Sequence, residues 1–114
     1  MNASIDIESD LVGALLLAGA TSVDAGHRIL DEVLATGLLP GDFATPSLEI
    51  LFAELVSARL DHEPIDAASL AVRLADRGVD PFSRGRLEVL ARTVPTMTAA
   101  PHYARMIVRD SRNR

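Results

Sequence analysis

An all-α fold, a compact bundle of about six short helices, is what this sequence predicts, and three observations carry the expectation. Hydrophobic residues make up 48% of the 114 positions, enough to close a core, yet the aromatics are only three Phe and one Tyr. Leu, Val, Ile and Ala must therefore fill the interior, which suits helix-on-helix packing better than a sandwich built on aromatic pairs. Apolar residues also recur at helical spacing between Gly, Pro and capping residues, whereas no two-residue alternation lasts beyond a few positions. The length fits one domain that hides roughly two thirds of its unfolded surface.

The first helix is expected from Asp6, as N-cap, to about Ala18, with Ile7, Leu11, Ala14, Leu15 and Ala18 as its stripe. Glu8, Ser9 and Asp10 then occupy its first turn, where acids complement the macrodipole. Gly13 inside this helix costs up to about 1 kcal/mol against Ala, which is easiest to justify if a second helix crosses closely there. Helix two runs from about Val23 to Thr36, with Ile29, Leu30, Val33 and Leu34 inward and Gly37 as its stop. The turn Leu39-Pro40-Gly41-Asp42-Phe43 follows, with Phe43 as an apolar core plug. Thr45 and Pro46 serve as N-cap and N1 of helix three, which carries Leu48, Leu51, Phe52, Leu55, Val56 and Arg59 to about Leu60.

Glu63-Pro64-Ile65-Asp66 reads as an extended link whose Asp66 caps helix four, with Leu70, Val72, Leu74 and Ala75 inward and Gly78 as stop. Val79 to Gly85, with Asp80-Pro81, reads as a loop. Helix five spans Arg86 to Thr93 and closes at Val94-Pro95, and Thr98 caps a sixth helix to the terminus.

Charge is unevenly placed. The net charge of −5 argues against a domain whose whole surface binds nucleic acid. Residues 1–32 hold six acids against Arg28, and residues 84–114 hold seven arginines against Glu88 and Asp110. Opposed acidic and basic faces follow if the chain ends lie apart. No cysteine is present, which excludes disulfides, thiolate metal sites and a cysteine nucleophile. Residues 1–10 carry three acids and no basic n-region, and the run Leu11 to Ala20 is about half a bilayer span, so a cytoplasmic location is expected.

Catalytic signals are missing. All 11 basic residues are Arg, so the lysine that a Walker A loop places on phosphates is lacking. His27, His62 and His102 fall in three segments without metal-ligand spacing, and neither metal nor cofactor is expected. The pairs Asp31-Glu32 and Asp61/Glu63 read as solvated helix ends and caps rather than acid–base pairs. No Gly-x-Ser-x-Gly elbow occurs. Arg105, Arg109 and Arg112 share one helix face at i, i+4, i+7, with Arg114 trailing. That electrostatic patch could meet DNA phosphates or an acidic partner, but cations complementing a helix C-terminus, at about 0.3–1 kcal/mol each, explain it more simply.

Four blocks of the chain resemble, in order and at close to its spacing, the N-terminal domain of DnaB-type replicative helicases. Glu8-Ser9-Asp10-Leu11-Val12-Gly13 is similar to that family's Glu-Gln-x-Val-Leu-Gly opening helix. Pro40-Gly41-Asp42-Phe43 through Pro46 to Leu51-Phe52 is similar to its Asp-Phe-Tyr-x-Pro-x-His motif and following Ile-Phe. Pro64-Ile65-Asp66 with Ser69-Leu70 is similar to its Pro-Val-Asp-x-x-Thr-Leu link, and Val94-Pro95-Thr96 with Tyr103 to Ile107 completes the set. The chain departs from the pattern at Ser9, Ala44 and Leu48, which replace Gln, Tyr and His, and near Ala99, where an Asn is usual. Only Gly85 stands where a glycine pair usually precedes helix five.

The resemblance implies a non-catalytic interaction and oligomerisation domain of the replication machinery. In that family such units pair, form a collar around an ATP-hydrolysing motor and receive primase. It implies a homo-oligomer, dimer or higher, with primase or a helicase loader as partner; any DNA contact is expected to be weak and to come from the C-terminal arginines. Residues 1–97 are then the globular part and 98–114 the start of a helical hairpin. Tyr103, Arg105, Met106, Ile107 and Arg109 are the expected subunit or partner contacts. Whether the chain is a piece of a full helicase or a standalone regulator that mimics the collar and competes for primase or helicase stays open at this point.

Overall fold

The computed structural model describes the backbone of residues 3–79 and 83–114, and the side chains of the first helix from residue 7 onward. At its centre lies α1 (Ala3–Thr21), and the other helices are arranged around it. Leu11, Val12, Ala14, Leu15, Leu16 and Ala18 are all buried, so the middle of α1 is covered on every side rather than along the single stripe expected, while Ala20 and Thr21 at its end are exposed. A helix hydrophobic all round has no face left for water and belongs in the middle of its fold. α2 (Val23–Leu34) and α6 (Ala100–Arg112) pack on α1 and on each other, α5 (Arg84–Arg92) crosses it, and α3 (Pro46–Leu60) and α4 (Ala67–Asp76) close the remaining sides. Every element among the described residues is a helix, a 3-10 turn or a connection.

Three glycines set how closely the neighbours approach. A Cβ on Gly13 would overlap the Leu90 carbonyl of α5, so the close crossing expected at this glycine is present. Gly19 of α1 and Gly26 of α2 face each other over Ile65, whose side chain is fully buried between them.

Glu8 is the main departure from expectation. It is not a solvated acid of the first turn: helix α1 begins at Ala3, so Asp6 is not its N-cap, and Glu8 is only 1% exposed. Its carboxylate accepts hydrogen bonds from the backbone N–H groups of Ala44 (2.9 Å) and Thr45 (3.0 Å). These two donors precede α3 and have no helical acceptor of their own. Thr45 does sit at the N-cap of α3, but its hydroxyl makes no capping bond and lies buried without a hydrogen-bond partner among the described residues. Glu8 thus pins the entrance of α3 to the middle of the fold. Phe43, just upstream, is the core plug expected, stacked in a tilted pair on Phe52 with centroids 5.0 Å apart.

The other boundaries follow local chemistry. Ser22 caps α2, which ends at Leu34, two residues before the expected Thr36, and Gly37 turns the chain at φ +90°. Asp66 caps α4 by accepting the Ser69 N–H, and Gly78 ends it at φ +71°. Val72 and Ala75, expected inward, are exposed; the inward residues are Leu70 and Leu74, at the i, i+4 spacing a helix face requires. α5 starts at Arg84, two residues earlier than expected, because the Ser83 hydroxyl accepts the Arg86 N–H. The anticipated loop at Asp80-Pro81 lies outside the described residues. α1, which carries acids of the first third of the chain, and α6, which carries arginines of the last, are in contact with each other.

Three substitutions test this core. Glu8→Ala leaves two backbone donors without an acceptor, at about 1–3 kcal/mol each, so thermal unfolding should show Tm lowered by at least about 10 °C. Glu8→Gln, which keeps one acceptor, should fall between. Gly13→Ala, normally favourable in a helix, should instead destabilise by about 1–3 kcal/mol because the Leu90 backbone must move. A denaturant midpoint unchanged or raised in Gly13→Ala would contradict the close crossing.

Candidate functional site

α6 carries all the residues expected to make contacts, and its local sequence explains its placement. The capping hydroxyl belongs to Thr96 rather than Thr98: Thr96 Oγ1 accepts the Thr98 N–H at 3.2 Å and opens a 3-10 turn, Met97–Ala99, that leads into the helix. Pro101 stands in the first turn, where a missing N–H has no consequence. Ala100, Ala104, Ile107 and Val108 enter the common core, so the segment 98–114 is packed into the globular part. At the other end Asp42 fixes the helix: its carboxylate accepts from the Ser111 hydroxyl at 2.7 Å and its carbonyl from Arg114 Nη2 at 2.6 Å. Arg114 is therefore drawn away from the arginine stripe that it follows in sequence.

The structure divides the five expected contact residues among three environments. Ile107 is 3% exposed inside the domain's own core, and no face of it remains for a partner. Tyr103 and Met106 are half-buried, one turn apart on one flank of α6, with Tyr103 resting on the core. Arg105 and Arg109 are exposed and join Arg112 on the opposite flank, with Arg109 bordering Met106 at i, i+3. These three arginines, with Thr36, Val108 and Asn113, line a shallow depression of about 310 Å³. Arg109 lies 3.6 Å from Asp110, and Arg105 and Arg112 have no carboxylate partner among the described residues. The arginine patch expected from the spacing is thus a single surface.

Reading the sequence missed a second charged centre. Glu54, 5% exposed on α3, accepts from Arg73 Nε at 2.8 Å and pairs with Arg77. Arg73 also binds Asp61 (3.0 Å), Glu63 (2.6 Å) and the Ser57 hydroxyl (2.9 Å). Burial opposes the Arg73 charge, but hydrogen bonds and charge from these acids outweigh it and raise its pKa. Asp61, the C-cap of α3, and Glu63 stay exposed as expected of helix-end acids, and through Arg73 they also tie α3 to α4. Asp31 is likewise held by a two-pronged bond from Arg59, 3.0 Å on each arm, which lowers its pKa. The pattern that could have revealed the centre is Arg73 and Arg77 at i, i+4, facing an acid on the apolar helix before them.

The histidines remain apart in role. The His27 ring bonds the Glu63 carbonyl at 2.8 Å, and His62 takes φ +59° at the end of α3. His102 is exposed on α6. Among the described residues no three His, Asp or Glu side chains gather in a metal-binding arrangement, and no helix is long and apolar enough to cross a membrane.

Comparison with known proteins gives one consistent result. A family model described as the DnaB-like helicase N terminal domain matches residues 1–109. The crystal structure of the N-terminal domain of DnaB helicase from Mycobacterium tuberculosis superposes with a TM-score of 0.79 at 28% sequence identity. The likeness covers 97% of this chain and 71% of that one. No curated protein matches the chain.

Burial separates Ile107 from Met106 experimentally. Ile107→Asp places an unpaired charge in the core, at about 3 kcal/mol or more, and should lose the cooperative thermal transition in circular dichroism. Met106→Asp should keep it within a few degrees. Equal loss in both would show that Met106 belongs to the core as well.

Proposed function

Because this chain belongs to the DnaB-like helicase N-terminal domain family, we propose that it works by assembly and docking. It pairs with copies of itself as part of a collar and receives primase or a helicase loader. The observation that carries this reading is the extent of the correspondence: nearly every residue is accounted for by an N-terminal helicase domain, in family and in fold. The lysine on which a Walker A loop depends is absent from the chain, so ATP hydrolysis would be the work of another domain.

The contact surface we assign is the Tyr103–Met106 flank of α6, with Arg109 at its border. Its physical merit is a half-buried aromatic beside a flexible thioether, a combination that supplies apolar contact area at interfaces. Light scattering should report a mass above that of one chain for the parent protein and a single-chain mass for Met106→Asp. Titration with the C-terminal helicase-binding domain of the cognate primase should give a saturable complex with the parent. A single-chain mass for the parent together with no primase binding would end the proposal.

A further inference from the structure

Residues of α1, α5 and the first turn of α4 line a depression of about 470 Å³ that the assembly reading does not use. It exists because much of its wall is short. Ala20, Ala67, Ala68 and Ala91 offer single methyl groups where longer side chains would close the gap, and Leu16 and Leu17 add aliphatic surface. Small-molecule sites occupy about 300–1,000 Å³ and combine a mainly apolar lining with a few charged groups. The charged groups here differ in what they have left to offer. Asp66 is committed to capping α4, accepting from the Ser69 N–H and hydroxyl. Glu88 is held by Arg84 at 2.9 Å. Arg92 meets no carboxylate among the described residues; its Nε donates to the Glu88 carbonyl at 3.4 Å, which leaves the two outer nitrogens of its fork.

We propose that this depression binds a small amphipathic carboxylate, its apolar body against Leu17, Ala20 and Ala91 and its charge on Arg92. The fork of a guanidinium takes a carboxylate through two parallel hydrogen bonds. A cationic ligand is disfavoured, because both acids of the wall are already engaged. One arginine without a carboxylate matches a single negative charge, so a polyphosphate gains nothing over a monoanion. Extent argues against a docked protein. The charged edge from Arg84 to Arg92 runs about 12 Å, whereas a stable protein interface covers about 800 Å² on each partner. Arg92 is exposed, so its charge is partly screened and the binding is weak.

The inference goes beyond the assembly reading and does not need it, since no residue of α6 lines this depression. The test is an amide NMR titration of the isotope-labelled chain with 2-naphthoate, a flat apolar body carrying one carboxylate. Saturable shifts should centre on residues 16–20, 66–68 and 84–92, with a Kd of about 1 mM or below. Naphthylmethanol, with the same rings and no charge, should bind about fivefold more weakly. Arg92→Gln should bring naphthoate down to the affinity of the alcohol and leave the alcohol unaffected. Ala20→Leu, at an exposed position of α1, should fill the space and abolish binding of both while keeping its thermal transition. Arg28→Gln, at an exposed arginine of α2, should bind as the parent does. Four results would overturn the proposal: shifts that centre elsewhere or fail to saturate, equal affinity for acid and alcohol, parent-like binding by Arg92→Gln, or parent-like binding by folded Ala20→Leu.

Discussion

Everything in this fold is referred to one helix whose middle, residues 11–16, is buried on every side. Because that stretch of α1 is enclosed, each surrounding segment must meet the helix at a fixed depth, and three of its residues set those depths. Glu8 receives the backbone at Ala44 and Thr45, Gly13 receives α5 at Leu90 with Val94 beside it, and Gly19 receives the Ile65–Asp66 link. These are the segments whose order and spacing resemble the family pattern. Their intervals in sequence are therefore intervals along α1 in space. A changed spacing would put a cap, a plug or a crossing at the wrong level of the central helix.

That relation explains how much could be read in advance. The helical class, Pro46 at the start of α3, the Phe43 plug, the Asp66 cap and the meaning of Gly13 were legible because each rests on a local rule. Glu8 was not legible. A glutamate in a first turn satisfies the macrodipole rule whether or not it is buried, and its partners stand 36 and 37 residues away. The Glu54 centre escaped for a related reason, since its acid lies inside an apolar stripe and its arginines on a later helix. On α4, counting Val72 and Ala75 as inward mixed two faces, which the Leu70–Leu74 pair resolves.

On α6 the spacing of Arg105, Arg109 and Arg112 showed that they share a face, and the structure places them on one depression. What spacing could not give was the depth of Ile107 relative to Met106, one residue apart and different in role. Depth depends on where α1 and α2 lie, and a single helical pattern fixes an angle around its axis but not the radius at which a neighbour sits. Acids gather in the first third of the chain and arginines in the last, yet α1 and α6 are packed together, and cross-element pairs such as Asp31 with Arg59 consume some of that charge.

The buried carboxylate at position 8 also bears on what kind of module this is. A hydrophobic residue there would fill space as well, but it would leave the Ala44 and Thr45 donors unpaired at the entrance to α3. Glutamate answers both with two oxygens at once, and only when the turn is seated at that level of α1. The same turn holds Asp42, which reaches across to Ser111 and Arg114 at the end of α6. The register of α6 is thereby tied through two polar links to the central helix. A surface meant to meet partners in one orientation gains from such a tether, because apolar side chains alone tolerate sliding whereas a two-oxygen acceptor does not. The polar groups of this core therefore act on the placement of the outer helix as well as on the stability of the domain.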